Sequence, residues 1–137
     1  MTVRTTVQID LTLAGNLSQA AVERGVRAAT LDAKGLLIGI LSQPGTGRAY
    51  ERKTVTHVAS APGEPPAPDT GRLRNSTQSE VLATPDGALG IVSVNTEYAA
   101  ALELGTDKIA ARPFIGRLAR VHAARLQAVF ARFARLP

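Results

Sequence analysis

Four prolines fall within the seven residues Pro62–Pro68, and this cluster constrains the fold more than any other stretch of the chain. Proline fixes its own φ, lacks an N–H, and biases the residue before it towards extended backbone. Pro62, Pro65, Pro66 and Pro68 therefore forbid helix and most ladder pairing, and predict a stiff, extended arm spanning about residues 59–71. Regular structure has to come from the sequence on either side of it.

On the N-terminal side, Val3, Thr5, Val7, Ile9 and Leu11 alternate with polar residues, the period of a half-buried strand. Asn16 offers an N-cap, with Gln19 three residues later as in a capping box. From Leu17 the apolar spacing becomes three and four, predicting a helix to about Leu41, where Gln43-Pro44-Gly45 stops it. Gly25, Gly35 and Gly39 lie inside that helix, each costing roughly 1 kcal/mol relative to Ala, so close packing by another helix or subunit is expected to offset them. Gly47–Thr54 and Thr56–Ala61 read as short strands leading into the arm.

Beyond the arm, Leu73–Thr84 and Ala88–Val94 predict a hairpin about Pro85-Asp86-Gly87. Glu97–Leu104 predicts a short helix or turn closed by Gly105, and Pro113 suits the first position of a final helix. Its apolar stripe is Phe114, Leu118, Val121, Leu126, Val129, Phe130 and Phe133. The expected fold class is α+β: one domain over residues 1–137, with a small, mostly antiparallel sheet. A long helix in the N-terminal half and a C-terminal helix pack on that sheet.

The charge is unevenly placed. Residues 1–107 hold 9 basic and 11 acidic groups, whereas residues 108–137 hold 7 basic groups and no acidic one. Arg117, Arg120 and Arg135 are expected to project outward from the last helix, towards solvent, nucleic acid or an acidic protein surface. No apolar run approaches the roughly 20 residues of a bilayer span and the start does not read as a signal peptide, so a soluble protein with no membrane partner is expected. There is no cysteine, which excludes disulfides, zinc–thiolate sites and cysteine nucleophiles.

Signatures of chemistry are sparse. His57 and His122 are far apart in sequence and lack metal-ligand spacing, so no metal or other cofactor is expected. The Pro44–Ala49 turn lacks the Gly-Lys-Ser/Thr ending of a phosphate loop and follows a helix instead of a strand. Ser60, His57 and Asp69 name a hydrolase triad only on paper, since no nucleophile elbow surrounds Ser60. Glu51, Glu64, Glu97 and Glu103 would need the fold to pair them. The expectation is a protein that is not an enzyme, with a nucleic-acid-binding module using the basic last helix as the alternative.

The more specific signal is an ordered set of short motifs. Gly47-Arg48-Ala49-Tyr50-Glu51-Arg52 is followed by Ser60-Ala61-Pro62-Gly63-Glu64-Pro65-Pro66. Then come Asp69-Thr70-Gly71-Arg72-Leu73-Arg74-Asn75-Ser76, Tyr98-Ala99-Ala100-Ala101-Leu102-Glu103-Leu104-Gly105-Thr106, and Arg112-Pro113-Phe114. Together, over roughly residues 17–134, these resemble the tail-component family of long-tailed bacteriophages and prophages, also described as neck or tail-completion proteins. The resemblance implies a structural virion protein, assembled in the bacterial cytoplasm and placed in the neck or proximal tail. It implies a homo-oligomeric ring, six-fold or else twelve-fold, that meets other neck, connector and tail proteins and lets DNA pass without sequence-specific binding. Such a ring needs two different complementary surfaces on each subunit. The expected interface residues are Pro62, Glu64, Pro65, Pro66, Pro68 and Asp69 of the arm, with Arg117, Arg120 and Arg135. The loop between Glu103 and Arg112 is expected to fold back through an ion pair of those two residues.

Overall fold

A computed structural model describes residues 3–7, 17–52, 55–69 and 71–135. In chain order the elements are β1 (Val3–Val7), α1 (Gln19–Ile40), β2 (Ala49–Arg52), β3 (Val55–Val58), α2 (Arg72–Asn75), β4 (Thr77–Thr84), β5 (Gly87–Val94), α3 (Ala99–Leu104) and α4 (Ile115–Ala134). This is the α+β class expected, but its strands form two sheets. A three-stranded antiparallel sheet runs β1-β5-β4, and β2 and β3 form a separate two-stranded ribbon.

The three-stranded sheet grows from the hairpin read in the sequence. β4 and β5 are joined by Pro85-Asp86 with Thr84 opposite Gly87, and β1 lies on the other side of β5 with Val3 opposite Val94. Gly90, Val92 and Val94 of β5 are buried, as alternation along a strand that faces a core on one side requires. The strand expected from Leu73 begins only at Thr77. Gly71, at φ 79°, turns the chain into the single helical turn of α2 first.

α1 and α4 pack on the sheet and on each other. The N-cap of α1 is Ser18, whose Oγ accepts from Ala21 N at 3.1 Å; Asn16 lies outside the described residues, as do Ile9 and Leu11 of the first expected strand. Gln19 does not close a capping box; its amide donates to Thr84 O and Gly87 O and fastens the start of α1 to the hairpin end. One part of the core gathers Leu37 and Ile40 of α1 and its C-cap residue Leu41 with Val92, Val94, Phe114, Leu118 and Leu126. The other gathers Val22, Val26 and Ala29 with Phe130 and Ala134. Within α4 the buried line is Ile115, Leu118, Leu126, Phe130 and Ala134. Val121 and Phe133, assigned to the apolar stripe from sequence, are exposed because they flank that line.

The helix glycines divide. A Cβ on Gly25 would come within 2.6 Å of the Phe130 ring and 2.8 Å of the Phe130 carbonyl oxygen, so close approach of α4 accounts for this glycine. At Gly35 and Gly39 a Cβ would meet nothing within 4 Å. Gly39→Ala is accordingly expected to raise unfolding stability by roughly 0.5–1 kcal/mol through helix propensity, while Gly25→Ala lowers it by about 1–2 kcal/mol because overpacking outweighs the same gain. Paired denaturant titrations check both signs. No described helix is long and apolar enough to cross a membrane.

Candidate functional site: a braced corner around the proline arm

The motifs quoted above meet at the end of the sheet where β4 begins and β5 ends. The connection starts at the glycine turn before β2. Gly47 N donates to Ala59 O at 2.8 Å and Ala59 N to Arg48 O at 2.9 Å, so the two ends of the β2–β3 ribbon are clamped together. At Gly45 and Gly47 a Cβ would run into the backbone of Ala59 and Ser60, which explains why this turn is glycine-rich without a phosphate to bind.

The arm is strapped to its own domain. Pro65 and Pro66 are buried, whereas Pro62 and Gly63 are exposed. Gly63 N donates to Ala111 O at 3.1 Å, joining the arm to the α3–α4 loop. Glu64 holds the other side: its carboxylate accepts from Ala61 N at 2.9 Å, from Thr46 N at 3.2 Å and from the Thr46 hydroxyl. The expected extended course is corrected at its start, where Glu64 N donates to Ala61 O at 3.0 Å and Gly63, at φ 85°, turns the chain, and so is the expected reach of the whole arm towards a neighbour. Its middle packs inward, and Pro62, Gly63 and the half-exposed Asp69 are what it offers outward.

The bonds from the Thr46 hydroxyl and from the Ala61 and Thr46 amides stabilise the ionised Glu64 and hold its carboxyl below the ordinary value of 4.5, with a smaller contribution from Arg117. A depressed folded-state pKa means that this stabilisation is complete above the unfolded value and is lost as pH falls through the folded one. Melting temperatures from pH 7 downward should therefore show Glu64→Gln below wild type near neutrality. The two curves should converge as pH falls through the depressed folded-state value, where wild-type Glu64 takes up its proton.

The α3–α4 corner is built differently from expectation. Glu103 does not pair with Arg112. Its carboxylate caps α4, accepting from Phe114 N at 2.8 Å, Ile115 N at 3.0 Å and Gly116 N at 2.8 Å. A negative group at a helix N-terminus satisfies otherwise unpartnered amides and complements the helix dipole. α4 therefore begins at Ile115, two residues after Pro113. Arg112 turns instead to the arm, donating to Ser60 O at 3.3 Å and to Ala110 O at 3.1 Å, while its own N–H donates to Leu102 O. The 105–111 loop folds back through Thr106, whose N–H donates to Ile109 O and whose hydroxyl accepts from Lys108 N and Ile109 N.

Between the arm, α2 and α3 lies a cleft of about 270 Å³. Leu41, Leu73 and Leu102 supply apolar lining, Pro66 and Pro68 come from the arm, and Tyr98 and three arginines (Arg72, Arg74 and Arg112) contribute as well. Arg72 pairs with Glu97 at 3.2 Å and stacks over the Tyr98 ring at 5.8 Å, fastening α2 to the start of α3.

The residues considered for catalysis are partly brought together. His57 Nδ1 lies 3.9 Å from Asp69 Oδ1, and Ser60 is buried, its carbonyl oxygen engaged by Arg112. Of the four candidate carboxylates, Glu64 and Glu103 serve backbone amides, Glu97 serves Arg72, and Glu51 is exposed on the ribbon. No group of three or more acidic or histidine side chains among the described residues is placed to hold a metal ion. His122 lies apart, beside a groove between α1 and α4 where Arg125 forks onto Asp32 at 2.9 and 3.0 Å. Asp32 raises the affinity of the Arg125 guanidinium for its proton. Arg120 and Arg135 are exposed as expected, but Arg117 is half-buried, on the side of α4 near Glu64. Neither protein-family models, nor curated proteins, nor solved structures give a match to this chain.

Proposed function

We propose that this chain is a structural subunit of a bacteriophage neck or proximal tail, forming a closed homo-oligomeric ring through which DNA passes. The observation that carries the reading is the convergence of the family-like motifs. The glycine turn, the proline arm, the Asp69–Ser76 turn, the Tyr98–Thr106 segment that contains α3 and Arg112-Pro113-Phe114 all brace one corner. Their side chains are spent on holding backbone in place, which is what a docking surface needs, since a rigid surface loses little entropy on association.

The β2–β3 ribbon supports the same reading. It makes only sparse contact with the other helices and strands, and Tyr50 and Val58 on it are exposed. A two-stranded ribbon is marginal by itself, and a neighbouring subunit covering those residues would stabilise it. In a ring the ribbon and the braced corner would supply two unlike surfaces, as a head-to-tail contact demands. Pro62, Arg120 and Arg135 are exposed for contact in this reading, together with Lys108 on the 105–111 loop, while Asp69 is engaged with His57.

Native mass spectrometry and electron micrographs of the purified protein, alone and with connector or tail partners, test the proposal. A closed six-fold or twelve-fold ring is expected; a monomer in every mixture would sink it. The alternative, nucleic-acid binding by the basic helix, rests on the exposed Arg120, Arg132 and Arg135. It predicts duplex DNA affinity that falls steeply with salt and is abolished by Arg120→Glu with Arg135→Glu.

A further inference from the structure

We infer that the cleft beside the proline arm is a socket for an acidic, apolar-tipped segment of a partner protein. The inference rests on reading this corner as a docking face and names the chemistry of what docks there. The charged groups lining the cleft are Arg72, Arg74, Arg112 and Asp69. Arg72 has Glu97 as counter-ion, and Asp69 faces His57. The other two guanidiniums are held by neutral oxygens: Arg74 by Ser42 Oγ at 3.3 Å, Arg112 by the carbonyls of Ser60 and Ala110. Both arginines are half-buried, and among the described residues neither has a carboxylate partner. An arginine never sheds its charge in a protein, and partial removal from water makes a counter-ion more valuable. Arg74 and Arg112 both line the cleft, so a carboxylate entering it can supply that counter-ion to either guanidinium, in the forked geometry such a pair favours.

The shape selects the source of that carboxylate. The cleft is concave, its volume suits one or two side chains, and Leu73, Leu102 and Pro66 line it with apolar surface. Backbone phosphates of duplex DNA sit on a broad convex cylinder and call for a spread basic face. A peptide segment bearing a carboxylate next to an aliphatic side chain matches both the charge and the apolar lining. Tyr and Arg around a small apolar pocket are also the residue types that concentrate binding energy at protein interfaces. The walls are already fixed by the Glu64, Arg112 and Gly63 bonds, so docking orders little.

The test is a nuclear magnetic resonance titration of the full chain with three probes: a hexapeptide alternating glutamate and leucine, its lysine–leucine counterpart, and a short DNA duplex. The glutamate–leucine peptide should shift the amide signals of Leu41, Gly71, Leu73 and Leu102, and the other two probes should not. Arg74→Glu should weaken that binding at least about tenfold. Arg74→Lys should keep part of it, since it retains the charge and loses the fork. Absence of shifts at the cleft, equal binding by Arg74→Glu, or cleft shifts from DNA in place of the acidic peptide would each overturn the inference. Circular dichroism melts of the two variants exclude misfolding as the cause of a loss. Mass measurements on the same samples separate the two readings. A ring that forms while the acidic peptide ignores the cleft defeats the socket alone, and a chain that binds the peptide yet stays monomeric with every partner defeats the ring alone.

Discussion

Phe114→Ala is expected to remove about 3–5 kcal/mol of stability, a large share of the 5–15 kcal/mol that holds a domain of this size together. Phe114 has no solvent exposure and sits where the α3–α4 loop becomes α4, in contact with the larger part of the core. The surrounding groups are pinned and cannot collapse into the void. Leu37 and Leu41 come from a long helix, Val92 and Val94 from the central strand, and the backbone N–H of Phe114 is itself held by Glu103. A cavity that cannot relax carries the full penalty of lost contact. The melting temperature should fall by roughly 10–20 °C. Phe114→Leu, which keeps most of the volume, should lose under half as much. Equal losses for the two would mean that the ring is not packed as described.

Phe114 also shows how far local pattern reaches. Its apolar character and position after Arg112-Pro113 mark the start of a buried helical face, and α4 indeed carries its core residues from there. α1 was equally legible, because a long run of apolar residues at spacings of three and four has few other solutions. Its cap lies two positions later than expected: Asn16 and Ser18 are both capping residue types, and it is the Ser18 hydroxyl that accepts from Ala21 N. The strands were visible but their grouping was not. Alternation looks the same in a ribbon that pairs with itself and in a sheet under two helices, so nothing local separates β2–β3 from β1-β5-β4.

The proline arm illustrates the same limit at the site. Sequence predicts an extended Pro62–Pro68, yet Pro62-Gly63 makes a turn that Glu64 N closes onto Ala61 O, and proline content says nothing of which side of the arm is buried. Pro65 and Pro66 turn inward, and that depends on Glu64 meeting Thr46 and Gly63 meeting Ala111. The cleft is assembled from Leu41, from residues 59–74 and from residues 98–112, so no single stretch announces it. One signal was present and unread. The residues before α4, Ala111-Arg112-Pro113-Phe114, contain no Ser, Thr, Asp or Asn to cap it, so an acceptor had to arrive from elsewhere, and Glu103 was the nearest preceding carboxylate but one.

That missing cap makes Glu103→Ala the second large effect expected. The amides of the N-cap residue Phe114 and of Ile115 and Gly116 lose their acceptor at once, and two of them belong to the buried Phe114 and Ile115, where water cannot easily replace the carboxylate. Loss of an ordinary N-cap costs about 0.5–2 kcal/mol, and charge-assisted bonds to buried amides raise the figure, so about 2–3 kcal/mol is expected. Glu103→Gln keeps one oxygen for the amides and gives up the favourable charge at the helix N-terminus, so it should cost about half as much. The consequence extends beyond stability. Glu103 and the Arg112 N–H to Leu102 O bond together fix the corner from which Arg112 reaches Ser60 O and the cleft. Hydrogen exchange should therefore speed up first at Phe114, Ile115 and Gly116 in Glu103→Ala, and next along residues 59–63 of the arm, with the Val22–Phe130 end of the helix pair unchanged. If exchange instead rose evenly along all of α4, Glu103 would be supporting the helix as a whole and not the corner that holds the arm.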